Sequence, residues 1–125
     1  MSREAVQVDA DALGPYSPAI VGEGRFVYVS GQGAISEGRY QAGSVADETR
    51  IAIENMFRIL DAAGASPADV VRCGVYLTDM AFFDQMNAAY AEMFPEPRPA
   101  RTTIGVASLP GGIRVEVDCV AVLPA

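Results

Sequence analysis

Arg101 opens a strand-like stretch, Arg101-Thr102-Thr103-Ile104, and Glu116 and Asp118 interrupt another, Val115 to Val122, that is otherwise apolar. Alternate residues of a strand share a face, so Glu116 and Asp118 point one way while Val115, Val117 and Cys119 point the other. A guanidinium's planar fork is suited to carboxylate recognition. An arginine and a carboxylate could line one cleft. The same residues fit plainer roles: Arg101 in a surface ion pair contributing about 0–1 kcal/mol, and both acids facing water on an alternating strand. Leu109-Pro110-Gly111-Gly112 reads as a hairpin turn with positive φ at its glycines. It would lay the two strands side by side, with Arg101 opposite the far end of the second strand, past Glu116.

Absent residue types narrow the chemistry further. The chain has no histidine, lysine or tryptophan. Without histidine, and with two isolated cysteines, Cys73 and Cys119, there is no zinc ligand set and no Ser-His or Cys-His pair. Without lysine there is no aldimine to pyridoxal phosphate and no Schiff base to a carbonyl substrate. A metal held by carboxylates alone is left open but has no motif behind it, and acid-base work falls to carboxylates, tyrosine or water. Nine arginines against sixteen acids give a net charge of -7, which repels a nucleic-acid backbone, so no nucleic-acid partner is expected. The cysteines sit in apolar runs as buried free thiols, pointing to a cytoplasmic protein. No apolar run of about 18 residues could span a bilayer, and the N-terminus lacks a signal peptide's apolar block.

The elements that must position these residues fill one domain, residues 1–125. Alternation in Ala5-Val6-Gln7-Val8 predicts a first strand. A loop with Gly14-Pro15-Tyr16-Ser17-Pro18 follows, then a second strand over Arg25–Ser30 and a short one near Tyr40. From Val45 the period changes: Ile53, Met56, Phe57 and Leu60 share one helical face up to Ala63, with Gly64 as the stop. Ser66-Pro67-Ala68-Asp69 predicts a single turn, and Val70–Leu77 a strand. A second helix spans about Ala81 to Phe94, with Asp79 as its cap and Phe83, Met86, Tyr90, Met93 and Phe94 as its buried stripe. The class is α+β, a sheet carrying two helices on one face. The β-branched residues on its other face call for a partner subunit, hence a homo-oligomer.

Gly14-Pro15-Tyr16-Ser17, Val29-Ser30-Gly31-Gln32, Asn87-Ala88-Ala89-Tyr90, Pro99-Ala100-Arg101-Thr102 and Val115-Glu116-Val117, in that order and spacing, resemble the signatures of the RidA (YjgF-like) family over Gly14 to Val122. The resemblance implies a mixed sheet with two helices like that of the small chorismate mutases, assembled as a homotrimer with inter-subunit clefts. It also implies a cofactor-independent enamine/imine deaminase, hydrolysing reactive imines and enamines such as 2-iminopropanoate, 2-iminobutanoate and 2-aminoacrylate. In this resemblance Arg101 matches the ligand of the substrate carboxylate and Glu116 the acid that orients water. Tyr16, Ser30 and Asn87 match residues lining the pocket, and Thr103, where the family often has cysteine, falls on Arg101's side of its strand. Pro18, Gly33 and Ala34 depart from the common pattern near the pocket entrance.

Three other functions compete with this one. A relative tuned to one pathway's enamine would need a larger pocket. A non-catalytic carboxylate-binding oligomer would keep Arg101 only for its ligand. A ribonuclease is opposed by the charge and by the lack of histidine or lysine to protonate a leaving oxygen.

Overall fold

The computed structural model describes residues 2–125. Its first strands are β1 (Arg3–Ala5), β2 (Ile20–Gly22), β3 (Phe26–Gln32), β4 (Ile35–Ser36) and β5 (Arg39–Tyr40). Then come α1 (Val45–Ala63), β6 (Val70–Leu77), α2 (Phe83–Met93), β7 (Ala100–Gly105) and β8 (Val115–Val122). Four strands make the main sheet in the order β3-β8-β6-β7, while β1-β2 and β4-β5 form separate two-stranded ribbons. β8 runs antiparallel to both β3 and β6, and β6 runs parallel to β7.

Local chemistry sets the helix ends. Ser44 Oγ accepts the Asp47 N–H at 3.0 Å, and Gly64 closes α1 in the left-handed region at φ 88°, which costs a glycine little. The apolar stripe then places Ile53, Met56 and Leu60 fully inside the core, with Val75, Met86, Tyr90, Val115 and Val117. Both helices cover this one face of the sheet, and Phe57 of α1 meets Phe94, just beyond α2, edge to face at 5.2 Å. Burial of this apolar surface, worth roughly 25 cal/mol per Å², is what holds helices to sheet. The opposite face leaves Phe26, Tyr28 and Ile104 exposed, Tyr28 by 77%.

A buried charge ties three elements to one another. Glu48, in the first turn of α1, is fully buried. It accepts from Tyr40 Oη at 2.8 Å, the Arg114 backbone N–H at 3.2 Å and Arg114 Nε at 2.5 Å. The first turn of α1, ribbon β4-β5 and the approach to β8 are fixed together by this clasp.

The expected hairpin between the Arg101 strand and the Glu116 strand does not form, because β6 lies between them. β6 is apolar along most of its length and buried at Val70, Cys73, Gly74, Val75 and Leu77, the pattern of a central strand. A parallel β6-β7 pair needs a crossover, which α2 supplies. The segment from β7 to β8 instead passes over the end of β6, where Val106 N–H donates to Leu77 O at 2.8 Å and Thr78 N–H to Arg114 O at 3.1 Å. Gly111 and Gly112 do take positive φ, 69° and 76°, but in a 3-10 turn within that crossing.

Smaller differences sit at element ends. The first strand is Arg3–Ala5, not Ala5–Val8, although Val6 N–H still donates to Ala19 O at 3.0 Å. Asp79 caps a separate 3-10 turn, Met80–Phe82, and α2 proper begins at Phe83 and stops before Phe94.

Candidate active site

Arg101 lies in register with Cys73 on β6, which in turn pairs with Cys119 on β8. Paired residues of neighbouring strands share a face, so Arg101 points to the face that the helices cover. Its guanidinium carbon stands 4.9 Å from the ring centroid of Tyr90, 5.1 Å from that of Tyr16 and 5.8 Å from that of Phe83. Nη1 approaches Met86 Sδ at 3.9 Å. Nε and Nη2, the two donors of one edge of the fork, are buried without a partner. Burial draws the guanidinium's pKa down, but arginine stays charged at neutral pH. Among the described residues no carboxylate pairs with it.

The loop that supplies Tyr16 is fastened to the chain just before β7. Ser17 N–H donates to Pro99 O at 3.1 Å, Ser17 Oγ donates to Arg98 O, and the Leu13 N–H donates to Tyr16 Oη at 3.1 Å. Gly14 fits there because it lacks a side chain: a Cβ would stand 2.7 Å from Arg101 Nη2 and 3.0 Å from Asn87 Oδ1. Leu13, Tyr16, Met80, Phe83, Arg101 and Thr103 line a cleft of about 270 Å³. Thr103 Oγ1 is buried there, and Asn87 Oδ1 beside Arg101, each with no hydrogen-bond partner. Arg101, Tyr16, Asn87 and Thr103 are thus brought together, and the cleft offers fixed positive charge and unused donors to a small anion.

Glu116 stands apart from this group. It alternates with buried Val115 and Val117 and pairs with Tyr76, so it faces the side of the sheet that the helices leave open. Ser30, exposed on β3, precedes Gly31, where a Cβ would lie 2.5 Å from Glu116 Oε2. One chain therefore holds Arg101 and Glu116 on opposite faces of one sheet. Asp118 is tied down: it accepts from Tyr76 Oη at 2.8 Å and from the Gly74 N–H at 3.0 Å, and its hydrogen bond pushes the Tyr76 phenol's pKa up.

Several features of the site escape a reading of the sequence. Phe83, Met86 and Tyr90 have the period of a core stripe, and they are that, but they also form the wall under the guanidinium. Their period says which face is buried and not that an arginine shares it. A Cβ at Gly33 would run into Ile113, and Ala34 is fully buried. Burial pushes the Cys73 thiol up to about 12 and the Cys119 thiol up as well, so neither acts as a nucleophile at neutral pH. No group of three histidine, cysteine or acidic side chains is placed to hold a metal ion among the described residues.

The model of the family described as Endoribonuclease L-PSP matches residues 6–123. The chain belongs to this family, that of the RidA (YjgF-like) proteins. It is 41% identical over 113 residues to a human protein named 2-iminobutanoate/2-iminopropanoate deaminase, covering 89% of this chain and 82% of that one. It is 44% identical over 114 residues to the chloroplastic Reactive Intermediate Deaminase A of Arabidopsis thaliana, covering 90% of this chain and 60% of that one. Among solved structures, the RidA of an Antarctic Psychrobacter superposes with a TM-score of 0.77 at 35% identity, covering 96% of this chain and 99% of that one. The α+β fold with a mixed sheet and two helices is thus a RidA fold. No helix is long and apolar enough to cross a membrane among the described residues.

Proposed function

We propose that this RidA-family chain is an enamine/imine deaminase that hydrolyses reactive 2-imino acids, with 2-iminopropanoate and 2-iminobutanoate as type substrates, to 2-oxo acids and ammonia. The observation that carries the reading is the Arg101 guanidinium, buried against three aromatic rings with Nε and Nη2 unpaired. A bidentate carboxylate satisfies both donors at once. The names of the human and Arabidopsis relatives support the reaction class.

The reaction needs water delivered to the imine carbon and a proton for the departing ammonia. Glu116 orients the water as base and returns the proton as acid, one carboxylate in two roles. Because Glu116 faces away from Arg101 within a chain, the working cleft forms between two copies. Arg101, Tyr16, Asn87 and Thr103 come from one copy, and Glu116 and Ser30 from its neighbour, in a homotrimer. The exposed Phe26, Tyr28 and Ile104 give the open sheet face reason to be covered by another copy. The chemistry calls for no metal, cofactor or covalent nucleophile, and its compartment is proposed to be the cytoplasm.

RNA is a poorer fit to this site. A chain of net charge -7 repels a phosphate backbone. The test is Glu116→Gln with 2-iminobutanoate generated in place: loss of 2-oxo acid release with carboxylate binding retained supports the deaminase, and undiminished release overturns it. Retained binding in a wild type that never accelerates hydrolysis would leave a carboxylate-binding oligomer instead.

A further inference from the structure

Arg101 Nε and Nη2 and Thr103 Oγ1, of residues that line the cleft, are buried without partners, as are Tyr90 Oη, on the ring under the guanidinium, and Asn87 Oδ1, beside Arg101. Guanidinium nitrogens only donate and a hydroxyl can do either, but a carboxamide oxygen only accepts. A carboxylate bound to Arg101 has no hydrogen to give Asn87 Oδ1, which accepts none within the chain. The two groups are close neighbours, since the missing Gly14 Cβ would touch both Arg101 Nη2 and Asn87 Oδ1. The ligand atom that meets Asn87 must lie next to the carboxylate and carry a hydrogen.

In a 2-imino acid or its enamine tautomer, that atom is the nitrogen on the carbon bearing the carboxylate. In the 2-oxo acid product the same position holds an oxygen that can only accept. Resting on the reading of Arg101 as a carboxylate anchor, we propose that Asn87 reads the substrate nitrogen. The cleft selects planar acids with an N–H beside the carboxylate and rejects the 2-oxo acid once it forms. Discrimination of this kind is steep, because a buried acceptor left facing another acceptor forfeits its hydrogen bond and its hydration together.

Pyrrole-2-carboxylate and furan-2-carboxylate test this directly. They share size, planarity and charge, and differ in whether the ring atom beside the carboxylate-bearing carbon carries a hydrogen. Calorimetric titration of the wild type should show the pyrrole acid binding at least about tenfold more tightly. In Asn87→Ala the two affinities should converge while furan-2-carboxylate binding is kept, which also shows that fold and anchor are intact. Equal affinities in the wild type, as when Oδ1 turns onto Arg101 instead, overturn the role of Asn87 and leave the anchor standing. A preference that survives in Asn87→Ala overturns it too. If Asn87→Ala does not fold, the wild-type ratio decides alone. Failure of both acids to bind the wild type overturns the carboxylate anchor and this inference together.

Discussion

Arg101 and Glu116 lie on opposite faces of one four-stranded sheet, Arg101 in the row of Cys73 and Cys119, Glu116 in the alternate row with Tyr76. A cleft that uses both must take them from different copies. Arg101→Ala and Glu116→Gln should each be inactive alone. Unfolded together in equal amounts and refolded, they should regain about a quarter of wild-type deaminase activity, the share of clefts that draw both intact residues from neighbouring copies under random assembly. A mixture as inactive as its parents would place both residues in one chain's cleft.

Gly14→Ala should damage the site without unfolding the chain. The added methyl would stand 2.7 Å from Arg101 Nη2, so the guanidinium must move. Carboxylate affinity should fall about tenfold or more, the loss expected when one charge-assisted bond of the pair is misaligned. Titration of furan-2-carboxylate, beside a thermal melt showing little change, checks this.

The sequence carried most of the fold because its periods were clean. Val45–Ala63 and Val70–Leu77 are read to the residue, since the changes of period and Gly64 mark their ends. Strand order was another matter. The glycines at 111 and 112 signal positive φ and do not say whether the turn closes a hairpin or crosses a strand end, so β6 between β7 and β8 went unread. With that order unknown, the alternation of Glu116 and Asp118 was legible while their separation from Arg101 was not. Tyr90 was legible as core, but its place under the guanidinium depends on the same row of paired strands.

The Glu48 clasp should matter to stability rather than to chemistry. Glu48→Ala leaves Tyr40 Oη and the Arg114 guanidinium and N–H without their shared acceptor. A cost of at least about 2 kcal/mol is expected, part of the penalty for breaking a buried pair, since Arg114 keeps some contact with solvent. Urea unfolding reads it; a change below about 0.5 kcal/mol would mean that the clasp contributes little.

Alkaline pH should loosen the fold. Burial raises the Cys73 thiol from 9.0 in a free chain to about 12, and raises the Tyr90 phenol as well. Both are neutral when protonated, so the unfolded chain ionises first as pH climbs. The stability they hold is fully present below about pH 9 and drains toward pH 12, at most about 1.4 kcal/mol per pH unit for each group. The urea midpoint should fall between pH 8.5 and 10.5, and fall less in Cys73→Ala relative to that variant's own value at low pH. A midpoint flat across this range in the wild type would contradict the burial of these groups.

The central claim is that Arg101 anchors the carboxylate of an imine that the protein hydrolyses. It is tested most directly by following 2-oxo acid release from 2-iminopropanoate and 2-iminobutanoate, generated in place by a dehydratase, with wild type beside Arg101→Ala. The account predicts that wild type accelerates release and that Arg101→Ala loses about a hundredfold or more in kcat/KM, the scale of removing one partner of a desolvated charge pair. Equal acceleration by both proteins, or none by a folded wild type, would contradict it.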